Sequence, residues 1–372
     1  MQLADLEYFY IAKEMNGRFK GSRIGKIYQV TKKVFKMQVS NEDGKFTILI
    51  QLPDYITYTR RDVPSPESPS NFIMALRKRL TNGVIESIEQ PRFERILIFN
   101  ISAHGHAYTL AIELFSNGNI LLCDAGRGNA IDVLYRKESW RDRELKRGER
   151  YILPPSKKSP FDIELYDIGQ HGKKTLMAGI LSKVSIAPKY LEEAFARAHI
   201  DPRSEHELSG EEKERLLYMI KGVCAEGNYY VYKKDGNIVD YAVSHLTKYS
   251  GEGFEREEYD SVLEMIDAVY SPVLTDEADA EREAESKEAR AHREYALSQM
   301  KARMQELEKE ERRARAAAGH IYKSHHKIEQ LISLVRSMKK QGKSEQEISK
   351  AVSRIDPSAS FRNGMIILKI RA

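Results

Sequence analysis

The sequence predicts an α+β protein: an antiparallel-sheet domain first, a helical middle, and a long coiled-coil arm. Three observations carry this reading. Period-two apolar alternation punctuated by tight turns fills the first 125 residues or so, short helical stripes occupy 176–220, and a run of Ala, Glu, Lys and Arg without Pro or Gly extends from Asp276 to Gly319. The 372-residue length allows about two or three domains, each able to bury a core. A hydrophobic content of 41% excludes wholesale disorder.

Taken in order, residues 3–15 read as an opening helix with Leu3, Leu6, Tyr10 and Ile11 on one stripe and Asn16-Gly17 ending it. Phe35, Met37 and Val39 then alternate with Lys36 and Gln38, Asn41-Glu42-Asp43-Gly44 supplies a turn, and 46–52 returns as the second strand of a hairpin. Pro64, Pro66 and Pro69 break the chain. Ser68 as N-cap and Pro69 as first helical residue begin a helix through Leu80, with Phe72, Leu76 and Leu80 as its apolar stripe and Asn82-Gly83 as its stop. Arg77, Lys78 and Arg79 fan around its other sides, either as a solvated face or as a phosphate-contacting patch. Residues 84–88, 95–101 and 108–115 read as strands, and Ser116-Asn117-Gly118-Asn119 turns the chain into 120–123. Leu110, Ile112 and Leu114 share one face of the third strand. Glu113 lies on the other with Thr109 and Ala111, a face expected to be wet and able to present polar groups.

In the middle, 176–181, 189–198 and 210–220 read as short helices, and 229–232 with 238–243 as a hairpin turning at Asp235-Gly236. Its tyrosines are either packing groups or a base-stacking platform. Along the arm Leu297, Met300, Met304 and Leu307 repeat at spacings of three and four, in a register that continues through Ala314, Ala318, Ile321, Ile328, Ile332 and Val335. The arm starts acidic and becomes basic at Arg312, Arg313, Arg315, Lys323 and Lys327, and Gly319 is a candidate bend or break. A short helix at 344–352 and a strand at 365–370 follow.

Charge divides the chain in the same places. Residues 1–160 carry 26 basic and 18 acidic side chains, 161–270 carry 13 and 21, and 271–372 carry 21 and 16. The expected domains are 1–160, 161–270, the arm at 271–340 and a terminal piece at 341–372. No apolar run approaches the roughly 18 residues of a membrane helix, and the acids of the first seven residues do not suit a signal peptide, so a cytoplasmic protein with no membrane partner is expected. Cys123 and Cys224 are expected as free buried thiols. His104-Gly105-His106 and His325-His326 lack further ligands at metal spacing, and Gly21, Gly25, Gly126 and Gly128 form no phosphate loop with a following Lys-Ser/Thr. No catalytic set, metal or cofactor is expected.

The acidic opening helix around Asp5, the run 21–29 (GSRIGKIYQ), the run 71–80 (NFIMALRKRL), 90–99, and 113–120 (ELFSNGNI) together resemble the NFACT proteins of ribosome-associated quality control, the RqcH and NEMF type. Pro154-Pro155 and Gly319-His320-Ile321-Tyr322 extend the likeness over essentially the whole chain. The resemblance implies a factor that binds the obstructed large ribosomal subunit, the stalled nascent chain-tRNA and an incoming tRNA, alanine tRNA by likeness, and promotes C-terminal alanine tailing while the ribosome performs peptidyl transfer. It places tRNA contacts on Asp5, Glu94 and Arg95, with Glu94 standing where the family usually has Asp, and it favours RNA contact for Arg77, Arg79 and the basic part of the arm. On the residues alone, a structural ion pair of Arg95 with Glu94 or Asp5 is the alternative.

The same resemblance implies a first domain similar to the N-terminal domain of formamidopyrimidine-type DNA glycosylases, and a helix-hairpin-helix-like middle. Those glycosylases use a proline amine after the initiator Met; Gln2 stands there in this chain, which removes the basis for Schiff-base chemistry. The hairpin at 183–188 has no glycine to admit a phosphate. A second arm and a further C-terminal domain, expected of the full-length family, do not follow, so a fragment or a short member is expected. Two rival readings are a nucleic-acid-modifying enzyme and a coiled-coil scaffold or adhesin.

Overall fold

Acids in the first turn favour a helix N-terminus, and helix α1 (Asp5–Phe19) begins with Asp5 and Glu7. The Glu7 carboxylate accepts the Ala4 N–H at 3.2 Å. The computed structural model in which these contacts are seen describes residues 2–59, 69–135, 137–140, 143–204, 206–323 and 325–369. It divides into two compact units, Met1–Arg282 and Glu283–Ala372.

Helix α1 does not stop at Asn16-Gly17 as expected. It runs on because Phe19 is buried edge-on against Phe46 and Tyr58, at 5.7 and 5.8 Å between ring centroids, and the Asn16 side chain accepts the Ile88 N–H at 2.9 Å. The chain turns instead at Gly21, whose φ of 82° suits glycine.

Nine strands then form one antiparallel sheet: β1 (Arg23–Gln29), β2 (Val34–Asn41), β3 (Gly44–Gln51), β4 (Tyr55–Thr59), β5 (Val84–Glu89), β6 (Ile96–Ala103), β7 (His106–Glu113), β8 (Asn119–Asp124) and β9 (Ala130–Val133). Their order is β4-β3-β2-β1-β5-β6-β7-β8-β9. The two halves meet at β1 and β5, which are paired in register only at Arg23 and Val84. Helix α2 (Asn71–Leu80) buries Phe72, Ile73, Leu76 and Leu80. Its N-cap is Ser70, whose hydroxyl accepts the Ile73 N–H at 3.4 Å. Ser68, Pro64 and Pro66 lie outside the described residues.

The face of β7 that carries Glu113 is not wet. Leu145 of β11 (Arg143–Leu145), which pairs with β10 (Lys137–Trp140), and Tyr151 pack on it, so Ala111, Leu121, Cys123, Ala130, Val133 and Leu145 form a small second core. Glu113 is buried there, bonded by the Arg143 guanidinium and, at 3.1 Å, by the Tyr151 hydroxyl. Cys123 and Cys224 are both free and buried, and burial pushes each thiol up to about 12.

Helices α3 (Leu176–Lys183), α4 (Pro188–Ala198) and α5 (Gly210–Ala225) precede a three-stranded sheet of order β13-β12-β14, made by β12 (Tyr229–Lys234), β13 (Asn237–Ala242) and β14 (Phe254–Tyr259). Tyr230, Tyr232 and Tyr241 are buried, so these rings pack rather than form a platform. One continuous apolar core runs from Leu3 to Val269, shared by the first two compositional segments.

Helix α6 (Val262–Lys323) continues through Gly319 without a break. Leu297, Met300, Met304 and Leu307 are all exposed on it. In the second unit α7 (His325–Lys340), α8 (Glu345–Ile355) and the hairpin of β15 (Ala359–Arg362) with β16 (Met365–Leu368) enclose their own core. Here the expected register changes. Leu331 and Val335 turn inward to meet Ile348, Val352 and Phe361, while Ile332 is exposed, because α8 and the hairpin offer a local partner on the Leu331 side. Ile370, the expected end of the last strand, and the side chain of Ile321 lie outside the described residues. Among the described residues no helix is long and apolar enough to cross a membrane.

Two helical glycines provide a test of this packing. A Cβ on Gly179 in α3 would stand 2.1 Å from the Gly169 carbonyl oxygen and 2.5 Å from the Gln170 Cα, whereas one on Gly222 in α5 meets nothing within 4 Å. Gly179→Ala is expected to lose about 1–3 kcal/mol by overpacking, and Gly222→Ala to gain about 0.5–1 kcal/mol of helix stability, both read by urea denaturation. A stable Gly179→Ala protein would contradict the close approach of α3 to the 169–170 backbone.

Candidate functional site

Glu94 and Arg95 follow a turn that few sequences adopt. Arg92 and Phe93, at φ 52° and 55°, are consecutive non-glycine residues in the left-handed region, a conformation that costs of order 1 kcal/mol or more each. Burial of Phe93 against Phe9 and Phe161, at 6.0 and 5.9 Å between centroids, holds the turn. The Leu114 N–H donating to the Arg95 carbonyl at 2.8 Å fixes where the next strand starts. Both side chains thereby come to the N-terminus of α1.

There the Arg95 Nε lies 4.0 Å from the Asp5 carboxylate, at the outer limit of an ion pair, and both side chains remain partly exposed. Ser185 donates its hydroxyl to the second Asp5 oxygen at 2.7 Å, and the Gln90 amide donates to the Asp5 carbonyl at 2.7 Å. Burial, opposed by Ser185, Arg95 and Lys157, holds the Asp5 carboxyl above its ordinary range. Burial and the neighbouring Asp5 charge push Glu94 up to about 7, against Arg95 and Lys157. The site is thus two carboxyl groups and a guanidinium, in which burial and the neighbouring acid bring Glu94 close to neutrality.

Half a turn further along α1, Glu7 is fully buried and takes the Tyr190 hydroxyl at 2.7 Å and the Lys189 ammonium at 2.8 Å. Lys189 also donates to the Tyr241 carbonyl at 2.6 Å and lies 3.5 Å from Asp240. The turn between α3 and α4, through Ser185, and the first turn of α4, through Lys189 and Tyr190, therefore grip α1 by side chains. The Val184 and Ser185 N–H groups of the α3–α4 turn are spent on the Ile180 and Lys158 carbonyls. Beside the site, Phe9, Tyr10, Phe161 and Tyr229 line an open cleft of about 840 Å³.

Asp5, Glu94 and Arg95, on which the family resemblance places tRNA contacts, lie together in the fold. Arg77 and Arg79 are elsewhere in their bonding: Arg77 donates to the Ile27 carbonyl at 2.7 Å, and Arg79 to the Ala75 carbonyl at 3.2 Å in its own helix. Arg312, Arg313, Arg315, Lys323 and Lys327 are on α6 and α7 and exposed, with Arg315 paired to Glu311 at 2.7 Å. Ser185, Lys189, Lys157 and Gln90 were not foreseen as parts of the site. Ser185 and Asp5 are 180 positions apart, and no local pattern signals such a contact. Among the described residues no group of three or more His, Cys, Asp or Glu side chains is placed to hold a metal ion.

The family model for NFACT N-terminal and middle domains matches residues 9–358. The archaeal Rqc2 homolog aRqcH of Methanocaldococcus jannaschii is 28% identical over 343 residues, covering 87% of this chain and 49% of that protein. The Rqc2 homolog RqcH of Bacillus subtilis is 29% identical over 283 residues, covering 69% of this chain and 46% of that one. The chain thus spans about half the length of these two relatives. The ribosome quality control complex subunit NEMF of Homo sapiens is 30% identical over 143 residues, which are 38% of this chain and 13% of that protein. Among solved structures, the fibrinogen binding protein from Staphylococcus aureus superposes with a TM-score of 0.60 at 18% identity, covering 72% of this chain and 98% of that chain, a likeness of fold alone. The chain belongs to the NFACT family, as a protein of the RqcH and NEMF type that carries its N-terminal and middle domains.

Proposed function

We propose that the protein is an RNA-binding factor of ribosome-associated quality control, which engages the obstructed large subunit and tRNA and promotes alanine tailing of the stalled chain. The observation that carries the tRNA part is the convergence of Asp5, Glu94 and Arg95 at a partly exposed helix N-terminus, with Arg95 at 4.0 Å from its carboxylate rather than locked in a bidentate pair. A planar guanidinium so placed has donors left for a phosphate or a base edge, and the carboxylates are acceptors for a 2′-hydroxyl or a base amino group. The protein is a binding factor and not an enzyme in this reading; peptide-bond formation remains with the ribosome. The names of the relatives, Rqc2 homologs and NEMF, support the ribosomal assignment.

The exposed stripe of Leu297, Met300, Met304 and Leu307 supports a coiled-coil arm, since a seam at this spacing is stable when a second helix covers it. Arg312, Arg313, Arg315, Lys323 and Lys327 carry the arm's ribosomal contact in this account. Co-sedimentation with purified large subunits, with the bound tRNA sequenced, tests the whole: enrichment of one tRNA class on the pelleted subunits is expected, and no ribosome association would overturn it.

Two variants test the site itself. Arg95→Ala is expected to weaken tRNA binding about 10- to 100-fold, the worth of a charge-assisted contact of about 1.5–3 kcal/mol, with an unchanged melting temperature; full retention of tRNA affinity would assign Arg95 to a structural pair. Glu94 concerns pH. Its folded-state value of about 7 lies above the ordinary 4.5, so the folded protein binds the proton more tightly and its stability declines as pH rises from about 4.5 to 7, then levels off. Glu94→Gln is expected to flatten that decline in melting-temperature scans between pH 5 and 8, and an unaltered profile would contradict the site's electrostatics.

A further inference from the structure

Between Glu14 and Glu42 the chain holds seven cationic side chains and no acid, and between Glu67 and Glu86 it holds three more and again no acid. The fold brings these two stretches together. Because β1 separates from β5 beyond Arg23, its outer edge is open, and α2 lies along it. Ser70 at the start of α2 donates to Gln29 at 2.9 Å, Arg77 to the Ile27 carbonyl at 2.7 Å, and beyond the helix Asn82 donates its N–H to the Ile24 carbonyl at 2.8 Å.

Among the described residues, the arginines so aligned bond to carbonyls and rings. Arg23 donates to the Asn82 carbonyl at 3.0 Å, and the Arg77 guanidinium lies 4.7 Å from the centroid of the Tyr28 ring, with the Lys36 ammonium at 4.9 Å from the same ring. Lys26 on β1, Lys32 and Lys33 in the β1–β2 turn, and Lys78 on α2 are exposed. Arginines with no carboxylate partner among the described residues, flanked by exposed lysines, make a surface of positive potential. Tyr28, the aromatic ring among them, already carries two cations.

We infer that the β1 edge, the β1–β2 turn and α2 form a phosphate-tracking RNA surface that reads backbone charge without regard to sequence, separate in its chemistry from the Asp5, Glu94 and Arg95 cluster. The inference rests on the reading of the chain as an RNA-binding factor. It divides the labour: the carboxylate-bearing cluster discriminates among RNAs, and the acid-free surface supplies salt-sensitive affinity common to all of them.

The test uses the chain with Lys26→Gln, Lys32→Gln and Lys33→Gln combined. These side chains are solvated, so an unchanged melting temperature is the fold control. Binding of a tRNA transcript and of an RNA hairpin of unrelated sequence is measured from 50 to 300 mM KCl. The slope of log affinity against log salt is expected to become shallower by about 2 to 3, at about 0.7–0.9 per phosphate contact removed, equally for both RNAs. Unchanged slopes for both RNAs would overturn the inference, and so would a loss confined to tRNA. A parent that binds tRNA and hairpin alike, with slopes that still become shallower in the variant, would overturn tRNA selection while supporting this surface. Binding of phosphatidylserine vesicles that the variant loses, with RNA slopes unaltered, would assign the surface to anionic membranes and overturn it as an RNA surface.

Discussion

Burial of Glu7 is the constraint on which the rest of the first unit depends. A carboxylate with no exposure is tolerable only when charge and hydrogen bonds replace its water, and Lys189 and Tyr190, far along the chain in α4, supply them. Removing one member of such a pair strands the other, at a cost of about 3–5 kcal/mol. The contact therefore ties α1, the opening element, to α4, and it explains why the positively and negatively charged halves of the unit share one apolar core. It also fixes the axial position of α1, and with it Asp5 one helical half-turn earlier.

From that anchoring the chemistry of the site follows. Asp5 is held by Ser185 on one oxygen and faces Arg95 across 4.0 Å on the other, while the strained Arg92 and Phe93 turn delivers Glu94 beside it. The strain is offset by packing of three phenylalanines behind the turn. A worn hairpin without glycines, with its Val184 and Ser185 amides bonded internally, acts as a side-chain clamp on a neighbouring helix and not as a phosphate grip.

Much of this was legible in the sequence where the signal is local. The Asn117-Gly118 turn, the 35–51 hairpin and the α4 stripe follow from short-range periodicity. The end of α1 did not, because Asn16 and Gly17 read as a stop, yet a buried Phe19 and the bond from Ile88 outweigh the weak helix propensity of those two residues. Glu113 read as a polar group on a wet face, since strand alternation says which residues share a face and not what covers it. β14 was hidden by its charges: Glu255, Arg256, Glu257 and Glu258 look like a loop, and only pairing with β12 makes them an edge strand. Asp5, Glu94 and Arg95 were marked by family pattern, but Ser185 and Lys189 become neighbours of α1 only through the fold.

The account places RNA at two chemically different surfaces of one unit. Ultraviolet cross-linking of the chain to tRNA, followed by mass spectrometry of the cross-linked peptides, examines this most directly. Nucleotide adducts within 90–95 are the expected result, since the Arg92 to Arg95 turn borders the carboxylate cluster. Adducts confined to residues 283–340, with none in the first unit, would contradict it.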